Sequence, residues 1–217
     1  LPFHSHYKAS HIQAKQISLS QPQKKRIWQQ IIQQKIANQA SCLVLCKKDP
    51  HPLNISPPRV KSGDIDNLEA QMARIYWQRL FGKNFTRNPD ILGINAALNY
   101  GYAIIRATLA RYCVAHGLNP AFGVHHHNQL NGFCLVDDLI EPFRPFIDQV
   151  VYNFQEDFSG DLTKDDKTTL VNALSHELTF ADHKTTIKQA IDDWVKVYVN
   201  MLEVPAKEID LPKVNLS

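Results

Sequence analysis

The chain has 217 residues, of which 44% are hydrophobic, and this is enough for one substantial hydrophobic core. The formal net charge of +3 permits binding to nucleic acid without indicating it. No run of about 18 apolar residues occurs, which argues against a membrane-spanning helix. Residues 1–11 contain three histidines and no long apolar run, so they do not have the pattern of a signal peptide. We therefore expect a cytoplasmic protein without a membrane partner.

The four cysteines indicate packing rather than metal or redox chemistry. Cys42 and Cys46 are four residues apart in an apolar run, which is the spacing of one helix face and not that of a zinc knuckle. We expect buried thiols, as is typical of a reducing compartment.

The N-terminal part of the chain predicts a connector followed by a long helix. Residues 1–20 are polar and rich in histidine, and because the chain begins at Leu1 they are interpreted as a connector from an upstream segment. A helix is predicted to begin near Ser20 or Pro22, since proline suits a first helical turn. The main domain is predicted to span 21–204, with a C-terminal tail over 205–217.

The middle of the chain predicts further helices separated by loops. Four prolines between residues 49 and 63 exclude a regular helix there. Asp64 or Asp66 can then cap a helix that runs to about Phe81, with Gly82 as its terminator. The following helix is predicted from Asn95 to Gly117, and Gly101 inside it indicates a close approach of another segment.

The last third of the chain predicts one bent helix and one strongly amphipathic helix. The segment from 135 to about 155 is apolar, but Pro142 and Pro145 must bend or divide it. A final helix should carry an apolar face from Ile187 to Leu202. Few runs alternate with a period of two, so the predicted fold class is all-α.

The segment 123–145 holds the densest group of residues suited to chemistry. Three histidines, His125 to His127, precede a helix in which Asp138 and Glu141 are three residues apart, so both carboxylates should project from one face. Imidazole and carboxylate groups together suit Mn²⁺ or Zn²⁺, and an oxygen shell suits Mg²⁺. Alternatively, the acids only stabilise the helix dipole and the histidines are solvated.

Glu69 has two interpretations as well. With Asp66 as the N-cap, it falls at the third helical position, and the residues alone favour such a capping box. The other interpretation is that Glu69 joins the histidine and acid cluster, which only the tertiary fold can bring about.

Cationic and aromatic residues recur on the same helices, in a combination that suits phosphates and bases. Arg74, Tyr76, Tyr100, Arg106 and Arg144 are the candidates for contact with DNA. The alternative is that the arginines form ordinary ion pairs and that the aromatic residues belong to the core. No phosphate-binding glycine loop or dinucleotide motif is present, which argues against those enzyme classes.

Several runs together resemble the integrase of CRISPR spacer acquisition, the Cas1 family, and most of all its type II form, which accompanies an RNA-guided effector nuclease. The matching runs are 35–40 (KIANQA), 60–70 (VKSGDIDNLEA), 73–77 (ARIYW), 80–82 (LFG), 99–103 (NYGYA) and 138–145 (DLIEPFRP). They occur in the right order over nearly the whole chain, and the match is weakest after about residue 157.

The resemblance implies a helical catalytic domain and a small N-terminal β domain, and we expect these 217 residues to correspond to the helical domain without the β domain. It implies a metal site of Glu69, His126 and Glu141 that holds Mg²⁺ or Mn²⁺. The three consecutive histidines leave open which one is the ligand. Asp138 matches a further acid that assists the site or orients a ligand, with His125 beside it, and Asn99 joins the candidates for DNA contact.

The resemblance also implies an activity and partners. The expected reaction is metal-dependent cutting and joining of DNA, in which a 3′-hydroxyl attacks a phosphodiester and a short foreign duplex enters the CRISPR repeat. The expected partners are double-stranded DNA with 3′ ends, CRISPR repeat DNA, Cas2, the type II effector nuclease and a second copy bound through the β domain. The alternative is a catalytically inactive helical DNA-binding scaffold of the same adaptation complex.

Overall fold

The computed structural model describes residues 8–158, 160–203 and 211–213. Over these residues the chain forms eight α-helices and one two-stranded antiparallel sheet, which confirms the predicted all-α class. The elements are α1 (Ala9–Ser18), α2 (Gln21–Leu45), α3 (Leu68–Phe81), α4 (Ile94–Ala115), α5 (Cys134–Leu139), α6 (Arg144–Asn153), α7 (Lys164–Asn172), β1 (Glu177–Phe180), β2 (His183–Thr186) and α8 (Ile187–Glu203).

Helix α2 lies at the centre of the core. Its side chains Ile31 and Ile36 are fully buried, and the helix packs against α3, α6 and a 3₁₀ turn at Glu141–Phe143. It begins directly after Ser20, as predicted, and the Ser20 backbone N–H donates to the side chain of Gln23. A buried helix of this kind can supply polar groups to an interior site from a rigid backbone.

The start of α3 differs from the capping box considered for Glu69. Asn67 occupies the N-cap position, and the side chain of Asp64, not Asp66, accepts hydrogen bonds from the backbone N–H groups of Leu68 and Glu69, at 2.9 and 3.0 Å. Glu69 is thereby free to direct its carboxylate away from the helix end. The capping role for the Glu69 side chain was wrong, because the three-residue turn Ser62–Asp64 brings another acid to the helix terminus.

Helix α4 crosses α6 at close range. A Cβ atom on Gly101 would lie 2.5 Å from Cγ2 of Ile147, which confirms the predicted close approach at this glycine. Asn95 lies inside the first turn of α4 and not before it; its side chain donates to the carbonyl of Thr86 and accepts from the N–H of Asn88.

The predicted division at the prolines is confirmed. Helix α5 ends at Leu139, a 3₁₀ turn covers Glu141–Phe143, and α6 begins at Arg144. The expectation that Asp138 and Glu141 project from one helix face was wrong, because α5 ends between them, at Leu139. The Asp138 carboxylate accepts from the backbone N–H of Val124, whereas the Glu141 carboxylate contacts the Lys35 ammonium.

The C-terminal part contains elements that the sequence did not indicate. Helix α7 and the β1–β2 hairpin are short, and Glu177 pairs with Thr186 in the hairpin register. Helix α8 confirms the predicted apolar face, and the indole Nε1 of Trp194 donates to the carbonyl of Leu139 at 3.2 Å. Helix α8 therefore supports α5, which carries Asp138.

The proposed domain limits stay predictions. Helix α1 lies within the segment interpreted as a connector and packs on α8. Most of the segment interpreted as a tail lies outside the described residues, although Lys213 forms a bridge with Thr179. The four cysteines are buried free thiols, as expected. None of the helices in the described ranges is long and apolar enough to cross a bilayer.

Candidate functional site

Two of the predicted ligands meet on one lysine. The Lys35 ammonium, from the middle of α2, contacts Oε1 of Glu69 and lies 2.5 Å from Oε2 of Glu141. The three side chains are only 10%, 27% and 7% exposed, respectively. Lys35 and Glu69 are 34 positions apart in sequence, and Glu69 and Glu141 are 72 positions apart. Spacing along the sequence therefore could not predict that these residues meet.

A second cation fixes the other side of Glu141. The Arg144 Nε donates to Glu141 Oε1 at 2.9 Å, and the guanidinium lies 4.6 Å from the ring centroid of Tyr102. Burial by itself raises the pKa of Glu141, but the charges of Arg144 and Lys35 outweigh it and lower that pKa to about 2. Glu141 is therefore a carboxylate at every physiological pH.

The histidine loop is organised by Asp138, a carboxylate with no exposed surface. Its oxygens accept hydrogen bonds from the backbone N–H groups of Val124, His125 and His126, at 2.6, 2.9 and 3.2 Å. The same carboxylate lies 2.7 Å from Nδ1 of His126. Asp138 thus holds the loop and orients one imidazole, as carboxylates do beside metal-ligating histidines.

The three histidines have different surroundings. His125 stacks flat on Trp28 of α2, with ring centroids 4.2 Å apart, and burial lowers its pKa. His126 meets the edge of Trp28, and the hydrogen bond to Asp138 raises its pKa. His127 is exposed. Because Nδ1 of His126 is held by Asp138, its Nε2 is the ring nitrogen oriented for ligation.

Gly123 makes this loop sterically feasible. A Cβ atom there would lie 2.4 Å from the carbonyl oxygen of His126 and 2.9 Å from Oδ2 of Asp138. Real Cβ atoms do not approach backbone so closely, so glycine allows the loop to close over the carboxylate.

Two cavities adjoin the site. A cleft of about 460 Å³ is bordered by His126 and Glu141, and by the cationic side chains of Arg87, Arg106 and Arg144. A smaller cavity of about 270 Å³ is bordered by Lys35, Glu69 and Glu141. Glu141 thus borders both spaces, while Glu69 and His126 each border one.

The candidates for DNA contact fall into different environments. Asn99, Arg106 and Arg144 border the larger cleft, where the positive charge of the two arginines suits a phosphate. Arg106 is held by Asp137, with its Nε 2.5 Å from Oδ1, and lies over the ring of Phe133. Arg74 is exposed on α3, and Tyr100 is half-buried on α4.

Tyr76 requires a correction. This side chain has no exposed surface, and its hydroxyl donates to Oδ2 of Asp148 at 2.8 Å, so it belongs to the core and cannot meet DNA in this structure. The Tyr102 hydroxyl donates to the other oxygen of Asp148. Burial raises the pKa of Asp148 to about 7, against the lowering effect of the two tyrosine hydroxyls.

The raised pKa of Asp148 predicts a pH-dependent stability. The folded state binds the proton more tightly than the unfolded state, so the stabilisation is present at low pH and is lost as pH rises toward 7. We expect Asp148→Asn to destabilise the protein more at pH 5 than at pH 8, by about 2 kcal/mol. Urea unfolding of both proteins at the two pH values measures this difference. Equal destabilisation at both would contradict it.

The donor set fits a divalent cation by its chemistry. Glu69 and Glu141 converge on one positive group, and Oε2 of Glu141 is buried without a donor in hydrogen-bonding alignment, although the Lys35 ammonium lies 2.5 Å away. With His126 Nε2, the donors are two carboxylates and one imidazole, which suit Mn²⁺ or Mg²⁺. Among the described residues, however, no three such side chains are close enough to ligate one ion, and Lys35 lies between the carboxylates.

Four residues of this site were not predicted from the sequence. Lys35 entered only as the first residue of a matching run, and Trp28, Arg87 and Asp148 were not among the candidates. A buried lysine or aspartate within an apolar helix pattern is the feature that indicates such roles, because unpaired buried charges are costly.

Comparison with known proteins points to one family. The profile of the family described as CRISPR associated protein Cas1 matches residues 3–179. A CRISPR-associated endonuclease Cas1 of Neisseria meningitidis serogroup C (strain 8013) is 37% identical over 99% of this chain and 72% of its own length.

Two solved structures share the fold. A casposase bound to an integration product superposes with a TM-score of 0.78 at 20% identity, covering 95% of this chain and 68% of that chain. A chain of a partial Cas6-RT-Cas1–Cas2 complex superposes with a TM-score of 0.75 at 17% identity, covering 94% of this chain and 74% of that chain. At these identities the likeness concerns the fold.

Proposed function

Since this chain belongs to the Cas1 family of CRISPR-associated proteins, we propose that it is the catalytic part of a DNA endonuclease and integrase that inserts short foreign DNA into a CRISPR array. The observation that carries this proposal is that Glu69 and Glu141 meet on Lys35, while His126, held by Asp138, borders an arginine-lined cleft together with Glu141. The relative from Neisseria meningitidis is named an endonuclease, and the casposase was solved with an integration product.

In the proposed mechanism, Glu69, Glu141 and His126 would hold Mg²⁺ or Mn²⁺, which would supply Lewis acidity toward a phosphodiester. Arg144 and Arg106 would bind the phosphates on either side of the reacting group, since their guanidinium groups border the cleft. Asp138 keeps the His126 ring in one orientation, so that Nε2 stays in place for ligation. A 3′-hydroxyl would attack in strand transfer, and water in hydrolysis.

The partners are likewise proposals. Likeness to a chain of a Cas1–Cas2 complex supports Cas2 as a partner. The DNA partners would be a duplex with 3′ ends and the CRISPR repeat. A homodimer through a β domain and contact with the type II effector nuclease follow from the resemblance alone.

The alternative function, a catalytically inactive DNA-binding scaffold, is favoured by two observations. Lys35 and Arg144 already balance the charges of the two carboxylates, and no three ligating side chains cluster among the described residues. This alternative keeps the arginine-bordered cleft and needs no metal.

The test is cleavage and strand transfer on branched DNA with Mn²⁺ or EDTA, comparing wild type with His126→Ala. We expect Mn²⁺-dependent strand breakage that falls about a hundredfold or more in the variant, because the oriented imidazole is lost. His127→Ala is the matched control, as this side chain is exposed beside it, and it should keep nearly full activity.

Other outcomes separate the alternatives. Loss of activity in His127→Ala with retention in His126→Ala would reassign the ligand. DNA binding without strand breakage by the wild type, also in the presence of Cas2, would favour the scaffold.

A further inference from the structure

The charges around Lys35 already balance without a metal ion. Glu69 and Glu141 contribute two negative charges, and Lys35 and Arg144 two positive ones, all within one contact network. The Lys35 ammonium contacts both carboxylates, and its side chain is only 10% exposed. A divalent cation placed on the same carboxylates would meet this ammonium at contact distance, where like charges repel strongly.

We propose that the Lys35 ammonium is the resident cation of the site, and that it must leave the two carboxylates before they can hold a divalent metal ion. This inference rests on the proposed function, because it concerns the same metal site. It assigns Lys35 a positioning role: in the metal-free protein it holds Glu69 and Glu141 together, and so offsets the repulsion between two like charges that lie on different elements.

The structure contains a destination for the displaced ammonium. Gln39 lies one turn after Lys35 on α2, where side chains four residues apart are neighbours. Its Oε1 is buried without a hydrogen-bond partner among the described residues, and Gln39 borders the same 270 Å³ cavity as Lys35. A buried acceptor without a donor is costly, so an ammonium arriving there would gain a hydrogen bond that is missing in the present state.

The inference predicts opposite effects for two neighbouring substitutions. Lys35→Met removes the competing cation, so Mn²⁺ should bind about tenfold more tightly or better. Gln39→Leu removes the destination, so Mn²⁺ should bind about tenfold more weakly. If Lys35 and Gln39 only supported the fold, both substitutions would weaken Mn²⁺ binding.

The experiment is Mn²⁺ titration followed by electron paramagnetic resonance of the free ion, on wild type and both variants, without DNA. Lys61→Met is the matched control, because it removes an exposed lysine that pairs with Asp66 at 2.8 Å, and it should leave Mn²⁺ affinity unchanged. Circular dichroism establishes folding, and Lys35→Gln carries the same prediction if Lys35→Met does not fold.

The outcomes distinguish this inference from the function on which it rests. Tighter Mn²⁺ binding by the Lys35 variant supports it, including the case in which only that variant binds. Binding by wild type and Lys35 variant with equal affinity, or weaker binding by the variant, overturns it and leaves the proposed function standing. If neither protein binds Mn²⁺, the metal site and the inference both fail. Unchanged binding in Gln39→Leu overturns the assigned destination.

Discussion

Glu141→Gln is expected to abolish metal-dependent strand transfer, with a loss of about a thousandfold or more. The amide keeps the volume of the side chain but removes the negative charge that borders both cavities. Arg144, which lies on the cleft, remains in place to bind phosphate, so DNA affinity should be retained. The strand-transfer rate tests the expected loss of activity, and the DNA-binding affinity, measured on the same preparation, tests the expected retention of binding.

The control for this substitution is Glu177→Gln, which makes the same chemical change at an exposed position of strand β1. It should leave the rate unchanged. Full strand transfer by Glu141→Gln would show that this carboxylate takes no part in the reaction, and the proposed metal site would be wrong.

Asp138→Ala is expected to lower the free energy of unfolding by about 3 kcal/mol or more, because it leaves three backbone N–H groups without their acceptor. Those groups belong to Val124, His125 and His126, and the carboxylate that serves them is fully buried. The loop that carries His126 should also lose its fixed conformation, so activity falls together with stability. Urea unfolding measures the first effect.

Asp137→Ala is the comparison on the same helix. Asp137 is 22% exposed and pairs with Arg106, whose side chain is 39% exposed, so its loss should cost less than about 1 kcal/mol. A destabilisation by Asp138→Ala no larger than that of Asp137→Ala would contradict the role of Asp138 as the organiser of the loop.

Helices α3, α4 and α8 could be predicted from the sequence because each buries a mainly apolar face. Helix α8 and the division at Pro142 follow directly from periodicity and from the missing proline N–H. The hairpin could not be predicted in this way, since its strands have only four residues each and only β1 alternates polar and apolar residues. Helix α7 buries only Leu170, so it has no apolar face to indicate it.

The site could be predicted only in part, because its residues come from separate elements. Glu69 and Glu141 are joined by the packing of α3 and the 3₁₀ turn on α2, and resemblance to a family, rather than spacing, indicated that they belong together. Lys35 escaped notice because a lysine in a helix is ordinarily solvated, and only tertiary packing shows that this one is buried. Tyr76 was misassigned for the same reason, since exposure is a property of the fold.

The most direct test of the metal site is anomalous scattering from crystals of the protein grown with Mn²⁺. We predict one strong peak within ligating distance of Glu69, Glu141 and His126 Nε2, with the Lys35 ammonium moved off both carboxylates. A map without a peak at this position, in which Lys35 still bridges Glu69 and Glu141 at millimolar Mn²⁺, would contradict the account.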